Sequence, residues 1–110
     1  MADLASRECV PCRGGVPPLT GEEIGKLLPQ LKGWEVVDEH HLKKTLKFSN
    51  FRESQNFVNR VGDLAEEQRH HPEICFGWGV AEITIWTHKI DGLTESDFVL
   101  AAKIDRLSEA

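Results

Sequence analysis

A chain of 110 residues suits one domain built on one hydrophobic core. A formal net charge of −5 leaves no basic footprint for nucleic acid or an anionic membrane surface, and no apolar run approaches the roughly 20 residues that span a bilayer. The three cysteines, Cys9, Cys12 and Cys75, are too few for a disulfide framework, and residues 1–12 lack the apolar core of a secretion signal, so a reducing, cytoplasmic setting is expected.

Residues 1–19 read as a flexible tail, because Pro11, Gly14, Gly15, Pro17 and Pro18 break any regular pattern. The folded domain then covers 20–110. Thr20 can cap a first helix, with Glu23 three residues on as a capping box requires, and Ile24, Leu27, Leu28 and Leu31 recur at helical spacing. Pro29 should kink or end that helix. Strands are expected over 34–37 and 41–48, joined by a turn at 38–40. In the second, Leu42, Leu46 and Phe48 share a face with the stem of Lys44, while Lys43, Thr45 and Lys47 take the other.

Asn50 can cap a long helix over 51–70, whose apolar stripe is Phe57, Val58, Val61, Leu64 and Ala65. Pro72 ends it, and a residue before proline is pushed out of the helical region, so His71 should already be leaving. Residues 80–88 alternate as a strand, with Ala81, Ile83, Ile85 and Thr87 on one face and Val80, Glu82, Thr84, Trp86 and His88 on the other. A last helix follows the cap Thr94 and carries Phe98, Val99, Ala102 and Leu107. This order gives an α+β domain, an antiparallel sheet covered by helices on one face, with a fourth strand expected in 75–79 or in the tail.

Histidine is the side chain whose ordinary pKa lies near physiological pH, so the five histidines are the first place to look for proton chemistry. His70 and His71 close the long helix, and Glu66, four residues before His70, should lie on its face. That carboxylate and the negative helix end would both favour a positive imidazole there. The alternative is a solvated pair that merely stabilises the helix end. His88 ends its strand beside Trp86 and Glu82. A strand-end histidine is more often structural than catalytic. Asp97 stands third in the last helix, where a cap explains it as well as a substrate contact does. His40 and His41 sit in a turn and are expected to be solvated.

Cys9-Val-Pro-Cys12 has metal-knuckle spacing but no second pair, so no metal is expected there. Adjacent His70 and His71 are hard to aim at one ion from a regular helix.

The stretch from Glu66 to Asp97 resembles the pterin-4a-carbinolamine dehydratase family. The residues that carry the resemblance are Glu66, His70-His71-Pro72, Trp78, His88 and Asp97, with five residues between Pro72 and Trp78, nine between Trp78 and His88 and eight between His88 and Asp97. Thr87-His88, Gly92-Leu93-Thr94 and Gly33-Trp34 also read like it. The resemblance covers about 20–110.

It implies a single-domain fold of three helices on one face of a four-stranded antiparallel sheet, assembled as homodimers or homotetramers. The implied reaction is loss of water from a 4a-hydroxytetrahydropterin to give the quinonoid dihydropterin, regenerating tetrahydrobiopterin with no cofactor. By position, His70 and His88 would transfer protons and His71 would hold the substrate. Glu66 would orient His70, and Trp34 and Trp78 would wall the pterin ring, whose flat face suits stacking. Asp97 would contact the substrate. Trp78 stands where many relatives have tyrosine, so a phenol hydrogen bond would be absent. Because the same fold also serves as a transcription-factor dimerisation partner and as a Rubisco assembly factor, a binding role is the alternative. A reduced pterin of another pathway is a second one.

Overall fold

The computed structural model describes residues 4–7 and 17–109. Thr20 caps helix α1 (Gly21–Leu27) in a full capping box: the Thr20 N–H donates to Glu23 Oε1 at 3.0 Å and the Glu23 N–H to Thr20 Oγ1 at 3.3 Å. These bonds from the Thr20 backbone and hydroxyl hold the exposed Glu23 carboxyl below its ordinary range. Pro29 ends the regular helix as expected, inside a 3₁₀ turn at Leu28–Gln30.

Strand β1 (Glu35–Val37) and strand β2 (His41–Lys47) form a hairpin whose turn holds Asp38 and Glu39 at positive φ. Helix α2 (Phe51–Gln68) starts at Asn50, whose side chain accepts the Glu53 N–H at 2.9 Å. The fourth strand is β3 (Glu73–Gly77), two residues upstream of the expected stretch, and β4 is Val80–Ile85. Helix α3 spans Glu95–Glu109. All strands pair antiparallel in the order β1-β2-β4-β3.

The alternation along β4 is as the sequence predicts. Ala81, Ile83 and Ile85 are fully buried, whereas Val80, Glu82 and Thr84 are half-buried on the opposite face. Leu42, Ile83 and Ile85 join Phe57 and Val61 of α2 and Phe98 and Ile104 of α3 in one core. Apolar side chains removed from water in this way supply most of the drive to fold.

The expectation of a flexible tail over residues 1–19 needs correction at its start. Leu4–Ser6 form a 3₁₀ turn docked on α3, and Leu4 is 1% exposed in the main core. Lys103 Nζ donates to the Ala5 carbonyl at 2.9 Å, and Arg7 pairs with Glu95. Breaker residues at 11–18 say nothing about a short apolar anchor before them. Cys9 and Cys12 lie outside the described residues.

Two glycines matter to the architecture. Gly79, at φ +71°, closes the β3–β4 turn, and a Cβ there would stand 2.9 Å from the Phe48 carbonyl oxygen. At Gly92 a Cβ would stand 2.6 Å from Pro18 Cβ, so the loop before α3 can lie against residues 17–19 only with glycine. Leu19 N–H donates to the Leu93 carbonyl alongside it, at 2.8 Å. Among the described residues no helix is long and apolar enough to cross a membrane.

Candidate active site

Helix α2 ends earlier than its pattern suggests. Arg69 adopts the left-handed conformation (φ 54°), and its N–H and that of His70 turn back to the Ala65 and Glu66 carbonyls. The reversal rotates both histidines off the helix face. Glu66 therefore meets His71, not His70: His71 Nε2 donates to Glu66 Oε2 at 2.5 Å, with both side chains well exposed. The i,i+4 argument for Glu66 and His70 fails because it needs the helix to run through His70, two residues past its end at Gln68.

The carboxylate beside His70 is Asp97. His70 Nε2 donates to Asp97 Oδ1 at 2.7 Å, with the imidazole 11% exposed and the carboxylate fully buried. A carboxylate only accepts, so Nε2 carries the proton and Nδ1 is the nitrogen left to exchange one. Asp97 Oδ2 accepts from the Thr94 N–H at 2.8 Å and from the Thr87 hydroxyl at 2.9 Å. The capping and the site readings of Asp97 thus hold together. One oxygen caps α3 and receives Thr87, and the other fixes the His70 tautomer.

Thr87 precedes His88. Beyond β4 its backbone pairs with Gly92, Thr87 N–H donating to the Gly92 carbonyl at 2.9 Å, which closes a tight loop over residues 88–91. Through Asp97, the α2–β3 connection, the α3 N-terminus and this loop meet at one corner of the molecule. His88 is exposed there, and its ring stacks on Trp86 with centroids 4.3 Å apart and planes 12° from parallel. His40 and His41 are not simply solvated. Both are half-buried with their rings 5.5 and 6.0 Å from Trp86, and His40 Nε2 bonds Asp91 Oδ1 at 2.7 Å.

Trp34 and Trp78 are not gathered at this corner. Trp34 is 7% exposed in the core, its Nε1 donating to Asp105 Oδ1 at 2.9 Å. Trp78 is exposed in the β3–β4 turn, at the opposite end of β3 from His70 and His71, about 16 Å away by the rise of a strand. A cavity of about 190 Å³ lies by Leu4, Gln30, Lys32 and Asp105, and no histidine lines it. Among the described residues no group of three or more His, Cys, Asp or Glu side chains is arranged to hold a metal ion.

The sequence singled out the histidines and Asp97 but not Thr87 as the link between them. The signal was available, since a threonine in the buried register of β4 needs a partner for its hydroxyl. Thr87→Val keeps the shape and removes that hydroxyl. It should lower stability by about 1–2 kcal/mol in urea unfolding, with the fold retained.

A sequence model of the family described as pterin 4 alpha carbinolamine dehydratase matches residues 17–107. The chain belongs to this family. A relative from Rubrobacter xylanophilus, named "Putative pterin-4-alpha-carbinolamine dehydratase", is 73% identical over 107 residues, covering 97% of this chain and all of its own. A transcriptional coactivator/pterin dehydratase from Brucella melitensis superposes with a TM-score of 0.77 at 31% identity, over 82% of this chain and 97% of that one. A pterin dehydratase-like protein described as a RuBisCO assembly factor in the alpha-carboxysome superposes with a TM-score of 0.61 at 25% identity, over 72% of this chain and 93% of that one. The chain therefore shares its fold with both structures.

Proposed function

We propose that this protein dehydrates a 4a-hydroxytetrahydropterin to the quinonoid dihydropterin by histidine acid–base catalysis. The observation that carries the reading is the Asp97 carboxylate, which bonds His70 on one side and Thr87, the neighbour of His88, on the other. The reaction requires one proton for the departing 4a-hydroxyl, which leaves as water, and removal of one proton from ring N5. His70 through Nδ1 and His88 through either ring nitrogen serve these two transfers. His71, held by Glu66 in the open, contacts the substrate. Asp97 acts through His70, by fixing its tautomer.

Such a reaction needs no metal or organic cofactor. The same corner on a protein of cytoplasmic location would recycle a pterin released by a hydroxylase. Homodimers or homotetramers are the expected form.

The RuBisCO assembly factor of similar fold gives a second reading, in which the surface binds a protein and the histidines are bystanders. Stopped-flow absorbance of 4a-hydroxytetrahydropterin decay near neutral pH, with and without the protein, separates the two. Acceleration supports the dehydratase. No acceleration by a folded sample removes that reading and leaves the binding one.

A further inference from the structure

The three candidate histidines are held in different ways. His70 and His71 each commit Nε2 to a carboxylate. Among the described residues, the His88 imidazole makes no hydrogen bond, and its one oriented contact is the face of Trp86. A solvent-exposed imidazole with no such contact would sample several rotamers, and only a fraction of them would aim a nitrogen at a bound substrate.

Resting on the dehydratase reading, we infer that Trp86 is a positioning residue for His88: the indole fixes the plane of the imidazole while leaving both of its nitrogens open. A carboxylate partner would fix the ring too, but it would occupy one nitrogen. With both open, His88 can take the N5 proton on one nitrogen and release the other nitrogen's proton to water, and proton exchange with water at the two open nitrogens then restores the starting tautomer without turning the ring. Charge and atoms balance, because one proton enters and one leaves.

Trp86 is itself braced. His40 and His41, at the β1–β2 hairpin, approach the indole with planes tilted by 42° and 55°, and Asp91 holds His40. The pairing of Leu42 with Ile85 brings the hairpin beside the end of β4, so the brace follows from the register of the sheet. Trp86 is half-buried and packs against the edge of the main core, so Trp86→Phe, which keeps a ring there, is the control for lost packing.

The test combines a spectroscopic and a kinetic measurement on Trp86→Leu and Trp86→Phe. In proton NMR of the wild type, the His88 ring protons, assigned by comparison with His88→Ala, should show an upfield ring-current shift that disappears in Trp86→Leu. In dehydration kinetics Trp86→Leu should lower kcat about tenfold with little change in KM, and Trp86→Phe should recover most of that loss. In a His88→Ala background Trp86→Leu should have no further effect on kcat. A missing ring-current shift, or an undiminished effect of Trp86→Leu without His88, overturns the inference while the dehydratase reading stands. An inactive wild type that keeps the ring-current shift overturns the dehydratase reading, and the catalytic part of the inference with it.

Discussion

Replacing His70 or His88 by alanine should slow dehydration about 10²-fold or more, with the far-ultraviolet circular dichroism and a cooperative melting transition kept. His88 is exposed, so its truncation should leave stability unchanged, whereas the His70 imidazole is only 11% exposed against the buried Asp97, so His70→Ala should lower the melting temperature while keeping a cooperative transition. His70→Ala removes the Nδ1 proposed to exchange a proton and leaves Asp97 its bonds from Thr94 and Thr87, which limits the structural damage. On the proposed mechanism, in which the two imidazoles serve separate proton transfers, the double variant should be slower than either single one. His71→Ala should raise KM more than it lowers kcat, since its pair with Glu66 lies in the open, away from the Asp97 link. Stopped-flow turnover of the single variants checks these expectations, and near-normal rates in folded His70→Ala and His88→Ala would remove histidine catalysis from the account.

The largest expected stability change lies elsewhere, at Asp105. Its buried carboxylate accepts the Trp34 Nε1–H at 2.9 Å, the Lys44 ammonium at 2.7 Å and the Lys32 N–H at 3.0 Å. It thereby ties α3 to β2 and to the entry of β1. Asp105→Ala leaves the Lys44 ammonium, whose side chain is only 13% exposed, without its counter-charge and strands the Trp34 Nε1–H. Breaking a buried pair from one side costs about 3–5 kcal/mol. Against the 5–15 kcal/mol that holds a typical domain, that change would lower the melting temperature by roughly 10 °C or more. Removing both charges with Asp105→Leu and Lys44→Met should recover much of the loss, because the desolvation cost of each charge goes with it. Urea unfolding of the single and double variants measures both. Equal stability of Asp105→Ala and wild type would mean that Lys44 finds water instead.

Periodicity made much of this architecture legible. The stripe on α2 and the alternation on β4 report burial directly, and the turn at 38–40 and the caps Thr20 and Asn50 follow from local chemistry. Features that depend on distant partners were not legible. The exchange of Glu66 from His70 to His71 hinges on Arg69 taking a left-handed conformation that glycine usually marks. Strand β3 is an edge strand with mixed exposure and no clean alternation, so its position was read two residues late. The cluster of His40, His41 and Trp86 depends on strand register, which no local pattern encodes. Likewise, the stem of Lys44 was visible on the apolar face, but Asp105 lies 61 residues further along.

The docked segment at Leu4–Ser6 separates two ways of deciding where this protein begins. The family model's match starts at residue 17, yet among the described residues packing starts at Leu4, which shares the core with α3. A truncation drawn from that match alone would strip one flank of α3 and leave Lys103 without the Ala5 carbonyl, although every histidine would survive it. Such a fragment could keep an intact active corner on a helix with an uncovered greasy side, so that aggregation in a trimmed sample would report on the missing segment and not on the chemistry.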